Sequence, residues 1–336
     1  MRLKTIGRLL MAAGLAQAVT APVTAAEWMP ERPITIIVPW SAGGSTDQVT
    51  RVVAGELEAA LGGTVVVQNQ PGASGSIGSK SALESEPDGY TWTAGAAQDL
   101  GTYKVLDMLD TSIEDWNLYL TVANVSVVGV NVDSPFKTME DFLDAMKNDP
   151  SSVKVATAGL SSAGHNAMEA LKEAAGGDYK HVTYDGGNPA VIATVSGETV
   201  ATTQTAVEQA EMIRAGRIRP LAVLNDKPLE LAGVDTIPPI SDFIDGVPTA
   251  PNYFGVFVPG SAPEEVVQAL DRVWSDSIST SQALQDYAAD RGAVFSPYFG
   301  ADAQERVKPA VSMNAYLLFD GGKAKIDPAT LGIERP

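Results

Sequence analysis

Between Arg32 and Asp47 the chain reads Arg-Pro-Ile-Thr-Ile-Ile-Val-Pro-Trp-Ser-Ala-Gly-Gly-Ser-Thr-Asp: a β-rich run, a glycine turn, then the start of a helical pattern. A strand feeding a helix through so short a turn commits the segment to an α/β unit, because the helix must pack back on the sheet it has just left. The same junction makes an anion-binding position from backbone alone. The unpaired N–H groups of the first helical turn and the positive end of the helix dipole point at whatever lies above the strand end.

The alternation continues. Ile34 to Val38 predicts a strand, and Thr46 to Leu61 a helix with Val49, Val52, Val53, Leu57, Ala60 and Leu61 at helical spacing. Ser45 is the expected cap, with Gln48 completing a capping box and Gly62-Gly63 ending the helix. Val65 to Gln68 and Thr91 to Ala94 read as the next strands, with a helix to about Glu84 between them. A second block repeats the pattern: the helix Met139 to Asn148, strands at Val153 to Thr157 and Val182 to Tyr184, a strand at Thr199 to Thr205, a helix to Gly216, and Ile218 to Leu224. Such alternation predicts parallel sheets with helices on both faces and ligands beyond the carboxyl ends of the strands. The apolar run Tyr119 to Val130 and the Pro-rich stretch Pro228 to Pro251 each read as a crossing between blocks. The expected organisation is a leader at 1–26, one lobe from 27–124 plus 250–336, and a second from 125–249.

Arg2, Lys4 and Arg8 precede an apolar segment from Leu9 to Val19 and the small residues Val23-Thr24-Ala25-Ala26, the pattern of a secretory signal peptide cleaved after Ala25 or Ala26. No later segment approaches the length of a membrane span, so the expectation is a free periplasmic protein that is not membrane-inserted. There is no cysteine, which removes disulfides, thiol nucleophiles and thiolate metal sites. Loss of the leader's three basic residues, with no acid, moves the formal charge from −18 to −21. Nucleic acid is excluded as a partner on that charge, since its phosphates would be repelled.

Three glycine-bearing loops follow strand ends, at 41 to 47, 159 to 164 and 185 to 189, and in a two-lobed molecule the first faces the other two. Backbone N–H groups of Ala42, Gly43, Gly44 and Gly159, with the hydroxyls of Ser41, Ser45, Thr46, Ser161 and Ser162, form the expected shell around a ligand.

Several separated motifs together are similar to one family. Arg32-Pro33-Ile34 through Gly43-Gly44 and Asp47, Val65 through Asn69-Gln70-Pro71-Gly72-Ala73-Ser74-Gly75, Pro87-Asp88-Gly89-Tyr90, Gly159 to His165, Tyr184-Asp185-Gly186 and Gly216-Arg217-Ile218-Arg219-Pro220-Leu221-Ala222-Val223 resemble the tripartite tricarboxylate transporter substrate-binding proteins, the Bug receptors. The resemblance extends through Val247-Pro248-Thr249 and Phe257-Val258-Pro259-Gly260-Ser261-Ala262-Pro263, so it covers almost the whole mature chain. It implies a type II-like periplasmic-binding-protein fold, α/β, each lobe a mixed sheet flanked by helices, acting as a monomer. It also implies a small carboxylate held in the cleft and delivered to a cognate membrane permease, with no cofactor and no metal. The loops Pro39 to Asp47 and Gly159 to His165 would clasp the carboxylate, and Trp40, Ala97, Gln98, Asp99 and the turn Asp185 to Asn188 would read the far end. Tyr184, Gly186 and Thr203 complete the implied site. Two positions depart from the family pattern: Asp185 where a basic residue is frequent, and Gln98-Asp99-Leu100 where Asn-Pro is usual.

None of the three loops contains Lys or Arg, so helix ends alone must hold a negative charge. Each contributes about 0.3 to 2 kcal/mol, enough for one carboxylate and without a counter-charge for a second. The sequence therefore points to a monocarboxylate, or to a ligand whose far end is neutral or cationic and meets Asp185 or Asp99. A competing class is a secreted α/β hydrolase using His165 with Ser161 or Ser162. No Gly-x-Ser-x-Gly elbow and no His-Glu-x-x-His motif support it.

Overall fold

A computed structural model describes residues 28–336; the predicted leader and its cleavage point lie outside the described residues. The chain runs β1 (Ile34–Val38), α1 (Ser45–Leu61), β2 (Val65–Asn69), α2 (Ser76–Leu83), β3 (Thr91–Ala96), α3 (Ala97–Thr102) and β4 (Trp116–Asn124). It continues through β5 (Val127–Asn131), α4 (Met139–Asn148), β6 (Lys154–Thr157), α5 (Ala163–Ala175), β7 (Lys180–Thr183), α6 (Gly187–Ser196), β8 (Ala201–Thr202), α7 (Ala206–Arg214) and β9 (Ile218–Val223). It returns through β10 (Asn252–Pro259), α8 (Glu264–Asp276), α9 (Gln282–Arg291), β11 (Val294–Phe295) and α10 (Gly300–Asp320).

These strands form two sheets, β11-β4-β10-β3-β1-β2 and β7-β6-β8-β5-β9. The core order is the same in both: three parallel strands, then one antiparallel strand, then a fifth. The sheets are thus mixed, where alternation alone predicts parallel ones. In each lobe the antiparallel strand, β10 or β5, is the one that arrives from the other lobe. Coming from the cleft side, it runs against strands whose carboxyl ends face the cleft. The crossings leave from neighbouring positions, since Asn124 at the end of β4 pairs with Asn252 at the start of β10.

Burial explains why these residues form these elements. In β1, Ile34, Ile36 and Val38 face a core shared with Val49, Val53, Leu57 and Leu61 of α1 and Val266 and Leu270 of α8. Ile37, on the opposite face, packs with Leu100 of α3 and Val307 and Val311 of α10. A strand covered on both faces reads as a continuous apolar run, as this one does. In the second lobe Val128 and Val130 of β5 pack with Phe142, Met146, Met168 and Leu171, while Val127 turns to Val191, Ile213 and Ile218.

Two local expectations are corrected. The N-cap of α1 is Gly44, not Ser45, which is the first helical residue; no side chain of the N-cap residue closes this end, and the Gln48 amide instead donates to Gly43 O at 2.8 Å. Gln98-Asp99-Leu100 lies in helix α3, directly after β3. The strand expected over Thr199 to Thr205 shrinks to Ala201–Thr202, because Gln204 O turns to accept from Val127 N and Thr205 caps α7.

Trp274 is fully buried, with its indole N–H donating to Leu120 O at 2.8 Å. Replacing it by Ala removes that bond and opens a large void, so Trp274→Ala should lower unfolding stability by about 3 to 5 kcal/mol; chemical denaturation against the parent measures it.

Candidate functional site

The lobes close on each other through their loops. Ser41, from the turn before α1, donates to Asp185 O through its N–H at 3.0 Å and its hydroxyl at 2.8 Å. In a second interlobe contact, Ser74 receives Leu160 N–H on its hydroxyl at 3.1 Å, and its carbonyl receives the Ser161 hydroxyl at 2.8 Å. A cavity of about 20 Å³ is lined by Trp40, Gly44, Ser45, Thr46 and Asp99 of the first lobe and by Ser162, Ala163, Gln204, Thr205 and Glu208 of the second, among others.

Two helices from different lobes, α1 and α5, present their N-termini to this cavity through Ser45 and Thr46 and through Ser162 and Ala163. Gly43 has φ +81°, a conformation suited to glycine, and it bends the chain so that its N–H donates to Asp47 Oδ2 at 2.9 Å. Asp47 is further held by Arg51 and Asn69, and Asn69 donates to Trp40 O at 3.1 Å. Burial works to raise the Asp47 carboxyl, but the bonds from Arg51, Gly43 and Asn69 outweigh it and keep it below the usual carboxylate range. Asp47 therefore shapes the first loop and does not line the cavity.

The place of the α1 N-terminal anion is already filled. Glu208 reaches from α7 so that Oε1 accepts from Ser45 N at 3.0 Å and Ser45 Oγ at 3.1 Å, while Oε2 accepts from Thr205 N at 3.2 Å and Thr205 Oγ1 at 3.1 Å. Gln204, in the amide orientation that satisfies both its ends, adds a bond to Oε2 at 2.9 Å and accepts from Ala158 N at 2.6 Å. Gly187 allows this approach, since a Cβ there would run into the Glu208 carboxylate. Burial pushes the Glu208 carboxyl up, opposed by the bonds from Ser45 and Thr205. Asp99, 3% exposed, lines the same cavity; its Oδ1 has no partner, and burial pushes its carboxyl well above the ordinary value.

A larger space of about 520 Å³ lies beside the crossings, lined by Gln98, Asn124, Asn166, Asn252, Asn314 and other residues from both lobes. Buried Gln98, Asn124, Asn166 and Asn314 all bring an unpartnered amide atom to it. Ala163 borders both spaces, and no lysine or arginine is among the described residues lining either.

The structure gathers Trp40, Gly44, Ser45, Thr46, Asp99 and Ser162 at the small cavity and Gln98 at the large one. Ser41, Ser161, Asp185 and Gly186 belong to interlobe contacts: Ser41 and Ser161 bond across the cleft, Asp185 supplies its backbone carbonyl, and a Cβ on Gly186 would press on Ser41. Ala42 is exposed, Gly159 packs against Ser74, Tyr184 bonds through its N–H to Thr157 O, and Thr203 donates to Gly164 O at 2.6 Å. Sequence reading missed Glu208. Its spacing from Thr205 spells a capping box, which the structure contains, but nothing in the chain says that the same carboxylate reaches a second helix.

His165 is fully buried in α5 and stacked on His181, with ring centroids 4.5 Å apart. Its Nδ1 meets Leu160 O at 2.9 Å. The hydroxyls it would need for hydrolysis are engaged elsewhere: Ser161 donates to Ser74 O, and Ser162 donates to Gly159 O. Burial drives the His165 ring down to about 4, so it is neutral at pH 7.

A two-lobed α/β molecule with helix N-termini meeting across a closed cleft is a periplasmic-binding-protein fold of the solute-receptor class. Residues 49–310 match the family described as tripartite tricarboxylate transporter family receptor, and the chain belongs to it. Protein BugT of Bordetella pertussis is 32% identical over 301 residues, covering 85% of this chain and 87% of that protein. A UPF0065 protein from the tcbD-tcbE intergenic region of Pseudomonas sp. is 31% identical over 293 residues, covering 84% and 85%. Among solved structures, one described as a periplasmic transporter superposes with a TM-score of 0.76 at 27% identity, covering 88% of this chain and 97% of that one. The periplasmic binding protein BugD gives a TM-score of 0.79 at 24% identity, covering 88% and 99%. The chain is thus a periplasmic solute-binding receptor of this family.

Because the folded state holds His165 neutral near 4 against about 6.5 when unfolded, stability is fully present above pH 6.5 and falls as the pH drops toward 4. The loss from this ring should be on the order of 3 kcal/mol by pH 4. Urea titrations at pH 7, 5 and 4 should show it, and His165→Gln should flatten the slope.

Proposed function

We propose that this receptor captures a small organic carboxylate between its lobes and delivers it to a tripartite tricarboxylate-type membrane permease, working as a monomer. The observation that carries the reading is the meeting of the α1 and α5 N-termini at one cavity that both lobes must close to complete. Helix ends stabilise a carboxylate by directed N–H groups and dipole field, and the effect grows as water is excluded. Gly44, Thr46, Ser162 and Ala163 are the proposed contacts to the ligand, with Trp40 as its apolar wall. Binding on one lobe and closing with the other couples occupancy to shape, which is the signal a permease can read.

The absence of Lys and Arg from the lining favours one ligand carboxylate over two. A second would enter a space already holding Asp99 and Glu208, with no cation to offset it.

Thermal shifts of the leader-free protein, stripped of ligand by unfolding and refolding, test the reading against mono-, di- and tricarboxylates, amino acids and aromatic acids. A ligand at about 100 times its Kd should add about 2.7 kcal/mol and raise Tm by roughly 4 °C, and it should be recovered chemically unchanged. No shift with any carboxylate would overturn the assignment, and conversion to product would point to an enzyme.

A further inference from the structure

We propose that the receptor selects an aminocarboxylate, a ligand carrying one carboxylate and one ammonium, and that Asp99 is the residue that receives the ammonium. This rests on the reading of the site as a carboxylate receptor and adds what the other end of the ligand must be.

Glu208 is a carboxylate built into the protein at the spot where a ligand's anion would meet α1, bonded to Ser45 N and Oγ at 3.0 and 3.1 Å. With the lobes closed, a second carboxylate cannot share that helix end. A diacid spanning the cleft from α1 to α5 would have to displace Glu208 from its bonds to Ser45. The α5 end, at Ser162 and Ala163, has no such internal anion, so the ligand's own carboxylate belongs there.

Asp99 supplies the second, independent observation. It is buried, it lines the same cavity, and its Oδ1 has no partner. A buried carboxyl oxygen without a donor is an unsatisfied demand. The remaining cavity of about 20 Å³ has room for a group the size of water or ammonium. An ammonium supplies three donors to oxygens and one positive charge, so that closing the lobes over a zwitterion buries no net ligand charge. The body of the ligand then lies past Ala163 toward the larger chamber, where the Gln98 amide, adjacent to Asp99 on α3, has an unpartnered atom.

Calorimetry with 2-aminobutyrate, 4-aminobutyrate, butyrate and succinate, on protein freed of ligand by refolding, isolates the ammonium from the carboxylate at nearly constant size. The parent should bind at least one amino acid about tenfold or more tighter than both butyrate and succinate. Asp99→Asn should weaken that amino acid about tenfold more than it weakens butyrate. Glu208→Ala, by freeing the α1 end, should raise succinate affinity by about tenfold. If succinate or butyrate outranks both amino acids in the parent, the aminocarboxylate inference is wrong and the carboxylate receptor stands. Silence with all four probes while another carboxylate shifts Tm also defeats the inference alone. Silence across every carboxylate defeats both. The ranking in the parent protein decides even if a variant fails to fold.

Discussion

A single carboxylate, that of Glu208, ends two helices that belong to different lobes. Oε2 closes the capping box of its own helix through Thr205, and Oε1 does the same for α1 through Ser45. Helix N-termini leave several N–H groups without intrahelical partners, and burying them unsatisfied is costly. Here Gly44 caps α1 with no side chain, so the end that closure would strand depends on an acid from across the cleft. The closed form is stabilised by exchange of the same kind of bond that an anionic solute would offer. Desolvation of Glu208 opposes this.

The rest of the architecture positions that meeting. Both sheets have the order of three parallel strands followed by an antiparallel one, so both lobes direct the carboxyl ends of β1, β3, β6 and β8 at the same gap. Loops leaving those ends carry the contacts, while cores on both faces of each sheet hold the strands rigid. The histidine pair belongs to this supporting layer. It is neutral, with His165 stacked on His181 at the start of α5, and the His165 Nδ1 contact with Leu160 O fixes the loop whose Leu160 N–H and Ser161 hydroxyl grip Ser74.

Much of the fold was legible because its signals are local. Val49, Val53 and Leu57 fall on one helical face, Ile34 to Val38 is a run that only a strand buried on both sides needs, and Gly62 ends α1 in a left-handed turn as its position suggests. The crossing over Tyr119 to Val130 was visible as an apolar run, although the two strands it contains, β4 and β5, lie in different sheets. What stayed hidden depends on long-range geometry. Glu208 reads as a cap because Thr205 is three residues away, whereas Ser45 is 163 residues away. Asp47 looks like a ligand contact by its place in the loop, yet Arg51 and Asn69 draw it aside. The α3 helix escaped because six residues give too little periodicity to recognise.

The pairing of Asn124 with Asn252 sets how the molecule can move. The two strands that join the lobes leave the first sheet side by side, so they act as one two-stranded ribbon and not as separate tethers. Sliding of one strand along the other would break the ladder that runs from Asn252 to Pro259, whereas rotation of the lobes about the ribbon leaves that ladder intact. The Ser41 to Asp185 contact and the Ser74 to Leu160 contact both join the lobes, so both must break before such a rotation can part them.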